Sequence, residues 1–121
     1  MTSSHEVVLV GRQILLHMGR IISSQQSLED LDSIFDFVAE SSPQNAEMLI
    51  HQSQSRLEVL AANPKLGRLR PELLEHLRSW NLHRFVIFYF PAEDGIEVVR
   101  ILHSAMDISG KHFLPPSKGF R

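Results

Sequence analysis

Two stretches in the first half of the chain show helical periodicity. In the first, five apolar residues recur every three or four positions, with acidic residues on the opposite side: Leu28, Leu31, Ile34, Phe35 and Val38. This spacing predicts an amphipathic helix that ends near Ser41. Ser27 is its predicted N-cap, because Asp30 follows three positions later in the spacing of a capping box.

A second helix is predicted immediately afterwards. Ser42 is a suitable N-cap and Pro43 a suitable first helical residue. The residues that line one face of this helix are Ala46, Leu49, Ile50, Ser53, Leu57 and Leu60. Asn63-Pro64 ends the pattern. Two amphipathic helices joined by a tight turn form an antiparallel α-hairpin.

The remaining pattern is that of strands. A short β-branched strand is predicted at 20–24, another strand at 77–80, and a nearly continuous apolar strand at 84–90. A turn at 91–95 leads into a partner strand at 96–102. The predicted order is β-α-α-β-β-β. An apolar helix pair has to cover a sheet face, so the predicted fold is a two-layer α+β domain with the α-hairpin on a small, mostly antiparallel sheet.

These elements predict one domain over residues 19–108. Residues 1–18 form an N-terminal extension, for which three interpretations stay open: a strand at Glu6–Val10, a helix at Arg12–His17, or an over-long reading of the gene. Residues 109–121, which include Pro115-Pro116, are predicted to be a loosely held C-terminal tail.

Composition narrows the possible chemistry. The chain has 121 residues, of which 43% are hydrophobic and 21% charged, as in globular domains. It has no cysteine, which excludes disulfides, thiolate metal sites and a cysteine nucleophile. Its histidines show no metal-ligand spacing, and no glycine-rich phosphate loop is present. We therefore expect no metal, cofactor or small-molecule substrate.

No segment is predicted to enter a membrane. The longest apolar run, Phe85–Phe90, is far shorter than the roughly 20 residues of a spanning helix. The first residues lack the features of a signal peptide. We therefore expect a cytoplasmic protein.

Charge is distributed unevenly along the chain. The net charge of −2 argues against a general nucleic-acid binder. Residues 28–62 nevertheless carry seven acids and a single base, Arg56. Residues 63–89 carry two acids and five bases: Lys65, Arg68, Arg70, Arg78 and Arg84. Such asymmetry indicates a charged partner better than the total does.

Several segments together resemble the ParE toxins of bacterial toxin–antitoxin pairs. They are Gly67–Leu73 (GRLRPEL), Leu77–Trp80 (LRSW), Phe85–Tyr89 (FVIFY) and Asp94–Ala105 with Asp107. Asp30-Leu31 and Phe37–Ala39 are similar to the first helix of that family. The resemblance covers about residues 19–108. Phe90 and Met106 depart from it, because the family commonly has arginine at both positions, and Ser104 replaces a glycine.

The resemblance implies a toxin that binds and poisons DNA gyrase and has no catalytic residues. It also implies a ParD-like antitoxin that wraps the toxin and binds operator DNA, so that the toxin meets DNA only indirectly. A two-layer domain supports this physically, because its groove and open sheet edge can accept a segment that folds on binding.

The residues predicted to contact a target or partner are Arg68, Arg70, Arg78, Trp80, Arg84, Arg100 and His103. Arg68 and Arg70 lie in a loop, where binding residues concentrate, and tryptophan is enriched at interface hot spots. For Arg78, pairing with an acid such as Glu97 is an equally supported structural role. Arg100 is predicted to lie on the opposite face from Val99 and Ile101, in a solvated or salt-bridged position.

Two other functions stay open. A RelE-like ribosome-dependent messenger-RNA endonuclease would need arginines for the phosphate and His83, His103 or Tyr89 for proton transfer. That branch usually has a tyrosine or a His-Tyr pair near its C-terminus, where this chain has His112-Phe113. Tyr89 is more simply a core residue. The third alternative is an inactive relic that binds only the antitoxin, which the departures at Phe90 and Met106 motivate.

Overall fold

The computed structural model describes residues 19–113, as an α-hairpin on a five-stranded sheet. Its elements are β1 (Arg20–Ser23), α1 (Gln25–Ser41), α2 (Pro43–Ala62), β2 (Arg68–Leu69), β3 (Arg78–Leu82), β4 (Phe85–Ala92), β5 (Gly95–His103) and a 3-10 turn (Gly110–His112). The sheet order is β1-β5-β4-β3-β2, and only the β1–β5 pair is parallel. The predicted fold is confirmed, with β2 as an unpredicted two-residue strand. The elements considered at Glu6–Val10 and Arg12–His17 lie outside the described residues.

The start of α1 differs from the prediction by one turn. Ser24 is the N-cap, and its side chain accepts a hydrogen bond from the Ser27 amide at 3.0 Å. Ser27 lies inside the helix with 2% of its surface exposed, and its hydroxyl donates to the Ser24 carbonyl. The Ser24 hydroxyl also donates to the Val99 carbonyl of β5 at 3.0 Å. This contact fixes the start of α1 against the sheet, so the prediction of Ser27 as the cap is wrong.

The start of α2 is as predicted. Ser42 is the N-cap and accepts a hydrogen bond from the Asn45 amide at 3.1 Å, and Pro43 is the first helical residue. The helix ends at Ala62 with Asn63 as its C-cap. No helix within residues 19–113 is long and apolar enough to cross a bilayer.

The sheet is buried on both faces, as predicted for its central strand. One apolar cluster lies between the helices and the sheet; its members include Leu49, Leu60, Leu82, Ile87, Tyr89, Ile96 and Ile101. The other lies on the far face and comprises Leu77, Val86, Phe88, Phe90, Val99, Leu102 and Phe113. Leu73, Leu74 and Ile108 pack against the second cluster. Strand β4 supplies both clusters because its side chains alternate between the two faces.

The first residues of the predicted tail are packed against this far face. Gly110–His112 forms a 3-10 turn, and the Phe113 side chain that follows is 7% exposed. The Phe113 ring meets the Phe88 ring edge-on, with 4.8 Å between centroids. A loosely held tail is therefore wrong at Phe113, because the burial of its ring covers aromatic surface that β4 would otherwise expose to water.

Strand β4 also extends beyond its predicted end. It continues through Pro91, which pairs with Ile96 of β5, and the hairpin turn shrinks to Glu93-Asp94. The pairing of β3 with β4 stops at Tyr89. Proline is tolerated at Pro91 because β4 has a strand neighbour on only one side there.

Candidate partner-binding site

Two side chains of the sheet hold the loop between α2 and β2. The Tyr89 hydroxyl donates to the Pro64 carbonyl and accepts from the Gly67 amide, both at 2.8 Å. The Arg78 guanidinium donates to the carbonyls of Lys65 at 2.9 Å and Gly67 at 2.6 Å. Burial raises the pKa of Tyr89 above its ordinary value near 10, although the Gly67 amide opposes this shift. These bonds fix the backbone that leads into β2.

Arg78 does not pair with Glu97, which was its predicted structural alternative. Strand β4 lies between β3 and β5, so the two residues belong to strands that are not neighbours. Arg78 is partly buried, and its Nε makes no hydrogen bond with the described residues. Its guanidinium is committed to backbone carbonyls, so Arg78 shapes the loop and does not present a free charge.

Arg68, Arg70 and Trp80, three of the residues predicted to contact a partner, lie together. They line a concavity of about 440 Å³ that Arg56 of α2 closes on the helix side. Sequence reasoning noted Arg56 only as the single base of the acidic half and missed it as a site residue. The sequence pattern that could have identified Arg56 is its position in the predicted second helix. It lies three positions after Ser53, which belongs to the apolar face of that helix.

Arg70 is the best fixed of these arginines. Its Nε donates to Glu72 at 2.8 Å and its Nη1 to the Ser79 hydroxyl at 3.2 Å. Its guanidinium carbon lies 5.8 Å from the Phe88 ring centroid, within range of a cation–π contact. The hydrogen bond from Arg70 lowers the pKa of Glu72, and a backbone amide and the charges of Arg70 and Arg68 add to this effect.

A second concavity continues the first along α2. It measures about 480 Å³ and is lined by Gln44, Glu47, Met48, His51, Gln52, Ser55, Arg56 and His83. Arg56 belongs to both concavities. We call the combined surface of the two concavities the α2–β3 groove. The other residues that line the first concavity are Leu66, Arg68, Arg70, Ser79, Trp80 and Asn81.

His83 fixes one end of the α2–β3 groove. It occupies the first position of the two-residue turn between β3 and β4, at a φ of 56° that is unusual for a residue with a side chain. Its Nε2 lies 2.5 Å from the Gln52 Oε1 of α2. This contact joins the turn to the helix and sets the spacing between the two walls of the groove.

Arg84 and His103 lie away from the first concavity, at the end of the sheet. The Arg84 carbonyl accepts from the Ser104 amide at 2.8 Å, and His103 Nδ1 accepts from the Ala105 amide at 3.0 Å. His103 is opposite Phe85 in β4, whereas Tyr89 is four residues further along that strand. About 13 Å of strand therefore separates His103 from Tyr89.

Arg100 is committed to an ion pair. Its Nε and Nη2 donate to Asp30 of α1 at 2.8 and 2.9 Å, and its Nη1 donates to the His112 carbonyl at 3.2 Å. The hydrogen bonds that Arg100 donates to Asp30 raise the pKa of Arg100, against the opposing effect of desolvation. Asp30 also accepts from the Ile101 amide at 3.0 Å. Of the two structural positions predicted for Arg100, solvated or salt-bridged, the structure shows the salt-bridged one.

The predicted alternation of faces around Arg100 fails at Val99. A β-bulge interrupts the β4–β5 register, so that Phe88 pairs with Arg100, Tyr89 pairs with Val98 and Val99 is the extra residue. Val99 packs in the same far-face cluster as Phe88, so it shares a face with Arg100. Ile101 packs in the helix-side cluster, on the opposite face as predicted.

The candidate site is therefore narrower than predicted. Arg68, Arg70 and Trp80 come together with Arg56, while Arg84 and His103 lie elsewhere. Arg78 and Arg100 have structural partners. Within residues 19–113, no three histidine, aspartate or glutamate side chains are placed to hold a metal ion.

The comparisons with known proteins identify the family. The family model described as "ParE toxin of type II toxin-antitoxin system, parDE" matches residues 21–108. This chain belongs to the ParE toxin family. It is thus a toxin of a type II toxin–antitoxin system, and the match covers the hairpin-and-sheet unit from the second residue of β1 through β5.

Similar named proteins are toxins that carry both ParE and RelE names. Toxin RelE2 of Caulobacter vibrioides is 30% identical over 88 residues, covering 73% of this chain and 98% of that protein. Toxin ParE3 of the same organism is 28% identical over 95 residues, covering 78% and 95%. A chain of the chromosomal ParDE system of P. aeruginosa superposes with a TM-score of 0.59 at 21% identity, covering 71% of this chain and 96% of that one. At that identity the superposition establishes the fold alone.

The two departures from the ParE pattern have different surroundings. Phe90 is 2% exposed and belongs to the far-face cluster. Met106 is 43% exposed in the turn after β5, where its amide donates to the His103 carbonyl at 3.0 Å. Phe90 is therefore part of the core, whereas Met106 lies on the surface.

Proposed function

We propose that this toxin inhibits DNA gyrase by binding it, and that a ParD-like antitoxin encoded beside it neutralises it. The match of the ParE family over residues 21–108 is the observation that carries the proposal. Action on gyrase would place the protein in the cytoplasm. Contact with operator DNA would come only through the antitoxin.

The placement of Tyr89 and His103 supports binding over catalysis. A messenger-RNA endonuclease needs a base, an acid and a phosphate-binding cation around one bond. The hydroxyl of Tyr89 is occupied by Pro64 and Gly67. His103 is about 13 Å further along the sheet. We therefore propose that the protein is not an enzyme and that it acts through its surface.

Purified gyrase tests the proposal directly. Adding the purified toxin should reduce ATP-dependent supercoiling of a relaxed plasmid and increase cleaved DNA. A type I topoisomerase assayed with the same plasmid serves as the control and should be unaffected. Full supercoiling at a large molar excess of folded toxin would contradict the proposed target.

The antitoxin is tested by co-expression. The toxin and the product of the adjacent small reading frame should co-purify as a complex, and adding that product should restore supercoiling. Recovery of free toxin from cells that contain both proteins would contradict the proposed partner.

The similarity to Toxin RelE2 supports a second candidate function, which is ribosome-dependent messenger-RNA cleavage. A translating extract distinguishes the two, because a ribonuclease would cut messenger RNA and leave gyrase unaffected. The departures at Phe90 and Met106 motivate a third possibility, a relic that binds only the antitoxin. Expression without the antitoxin decides this point: arrest excludes the relic, and normal growth supports it.

A further inference from the structure

Strand β1 forms an edge of the sheet that no other described strand covers. Within residues 19–113 it pairs with β5 alone, in parallel. The amides of Arg20 and Ser24 donate to carbonyls of the β4–β5 hairpin at 2.7 and 2.9 Å. Because backbone groups alternate in direction along a strand, the amides and carbonyls of Ile21 and Ser23 point away from β5, toward the open edge.

The same edge exposes apolar side chains on both faces of the sheet. Ile21 lies beside Ile96 of the helix-side cluster and is 39% exposed. Ile22 lies beside Glu97 on the opposite face and is 37% exposed. Sheet edges are usually protected by charges, prolines or bulges, because an uncovered edge pairs with other chains. The only charged residue of β1 is Arg20, at its first position, so this edge is suited to an added strand.

The chain enters β1 at a closely packed place. Gly19 lies against the end of α2, since a Cβ there would collide with the Ala61 carbonyl. That Cβ would also lie 3.2 Å from the Asp94 carbonyl in the β4–β5 turn. Residues 1–18 are therefore attached beside the first residue of the open edge. An extension attached at this point needs only to turn back in order to run along β1.

The extension contains a segment with the length and composition of a matching strand. Val7–Val10 is a run of four aliphatic residues, and β1 has four residues. Residues 11–19 separate the run from Arg20. They are enough for a hairpin loop, whereas a parallel arrangement needs a crossover of about a dozen residues or more. Successive side chains point to opposite faces, so a continuous apolar run covers both Ile21 and Ile22.

We infer that Glu6–Val10 pairs antiparallel with β1 as a further strand and closes this edge of the sheet. The strand shields Ile21 and Ile22 from water and pairs with the outward backbone groups of Ile21 and Ser23. A tethered segment has the advantage over a second copy of the chain, because a short connection gives it an effective concentration of roughly millimolar. The edge is thereby withheld from other chains, whatever the target of the toxin.

Amide hydrogen exchange in the full-length toxin tests the added strand. In the wild type, the amides of Ile21 and Ser23 should exchange slowly although they face away from β5. Val8→Pro/Leu9→Pro removes two consecutive amides, so in either register one of the lost donors faces β1. The exchange of Ile21 and Ser23 should then accelerate by about tenfold or more. The Ile22 amide faces β5 and should stay protected in both proteins, which reports that the rest of the sheet is intact.

Thr2→Pro/Ser3→Pro is the matched control. It introduces two prolines into the extension before the proposed strand, and it should change the exchange of Ile21 and Ser23 by less than about twofold. Equal acceleration by the two proline pairs would overturn the inference. Exchange of both amides at the rate of an unstructured peptide in the wild type would overturn it as well.

Nuclear Overhauser effects in the wild type provide a test that needs no variant. Antiparallel strands bring the Hα atoms of facing residues close together, so such contacts should link Val7–Val10 to Ile21–Ser23. Slow exchange without these contacts would mean that something else covers the edge, and the inference would be wrong.

A second copy of the chain is the competing occupant. It would make the protection of Ile21 and Ser23 rise with protein concentration, and sedimentation would show a dimer over the same range. We expect protection to stay constant over an approximately tenfold dilution, because the proposed strand is intramolecular. Protection that depends on concentration would assign the edge to a dimer and overturn the inference. The proposed action on gyrase would be unaffected, because supercoiling measures it separately.

Discussion

Arg100 and Asp30 form a two-point ion pair that joins helix α1 to the sheet where strand β1 ends. The two carboxylate oxygens of Asp30 accept from Arg100 at 2.8 and 2.9 Å, and one of them also accepts from the Ile101 amide. Strand β1 covers β5 only as far as Val98. Asp30 therefore serves as the hydrogen-bond partner that a longer β1 would have provided.

Replacing Asp30 should be costly. Asp30→Ala leaves a guanidinium and a backbone amide without their acceptor, and we expect the free energy of unfolding to fall by about 2–3 kcal/mol. This is below the loss for a fully buried pair, because the two side chains are 18% and 10% exposed. Urea unfolding measures the change. Asp32→Ala, an exposed position on the same helix, should stay within about 0.5 kcal/mol. Equal stabilities of the two variants would contradict the role of Asp30.

Tyr89→Phe should destabilise the protein without changing its fold. It removes the donor to Pro64 and the acceptor for Gly67, so the free energy of unfolding should fall by about 1–3 kcal/mol. The loss should appear first at the α2–β2 loop, where amide exchange at Gly67 should accelerate. An unchanged exchange rate at Gly67 would show that the hydroxyl does not hold the loop.

The stability difference between wild type and Tyr89→Phe should depend on pH. Burial raises the pKa of Tyr89 in the folded state. The stabilisation that the neutral Tyr89 hydroxyl provides is fully present below the pKa of an unfolded tyrosine, near 10. It is lost as the pH rises through the higher pKa of the folded state. Phenylalanine does not titrate. The difference in melting temperature between wild type and Tyr89→Phe should therefore narrow above about pH 10. A constant difference from about pH 8 to 11 would contradict this prediction.

Phe113→Ala tests the packing of the chain beyond Ser109. The variant opens the far-face cluster beside Phe88 and should lower the free energy of unfolding by about 3 kcal/mol, near the low end for buried phenylalanines because 7% of Phe113 stays exposed. Lys111→Ala, an exposed position in the same turn, is the control and should have an effect within about 0.5 kcal/mol. Urea unfolding of both variants measures the difference. Wild-type stability of Phe113→Ala would mean that the far face does not need this cover.

The two departures from the family pattern should respond differently when arginine is introduced. Phe90→Arg places a charge in a site that is 2% exposed, and it should cost about 3–5 kcal/mol. Met106→Arg adds an exposed charge and should stay within about 0.5 kcal/mol. Chemical unfolding of both variants measures this contrast. Tolerance of Phe90→Arg would show that the far-face core can rearrange around a charge.

Helix α2 was predictable because its signals are local. Ser42 and Asn63 lie within a few positions of the backbone groups they cap, and Pro43 is the first residue of the helix. The start of α1 was not predictable in this way, because Ser24 and Ser27 are both suitable caps. The choice depends on a hydrogen bond from Ser24 to Val99, 75 residues further along the chain.

The site was predictable in part for a similar reason. Arg68, Arg70 and Trp80 are near in sequence and stay near in space. Arg56 joins them only through the packing of α2 on the sheet. The guess that Arg78 pairs with Glu97 failed because alternation along a strand does not reveal which strands are neighbours. Arg100 was misplaced relative to Val99 because a bulge leaves no clear mark in the sequence.

The pairing of β1 with β5 has a consequence for synthesis. Ile21 lies opposite Ile96, so the first described strand meets its partner only after most of the chain has left the ribosome. Contacts this distant in sequence form slowly, and until then the apolar stripes of the nascent hairpin have no sheet to cover them. A product terminated before Gly95 would lack β5, and we expect it to be inactive and to be degraded by proteases. Translation that stops midway would therefore release no active fragment of the toxin.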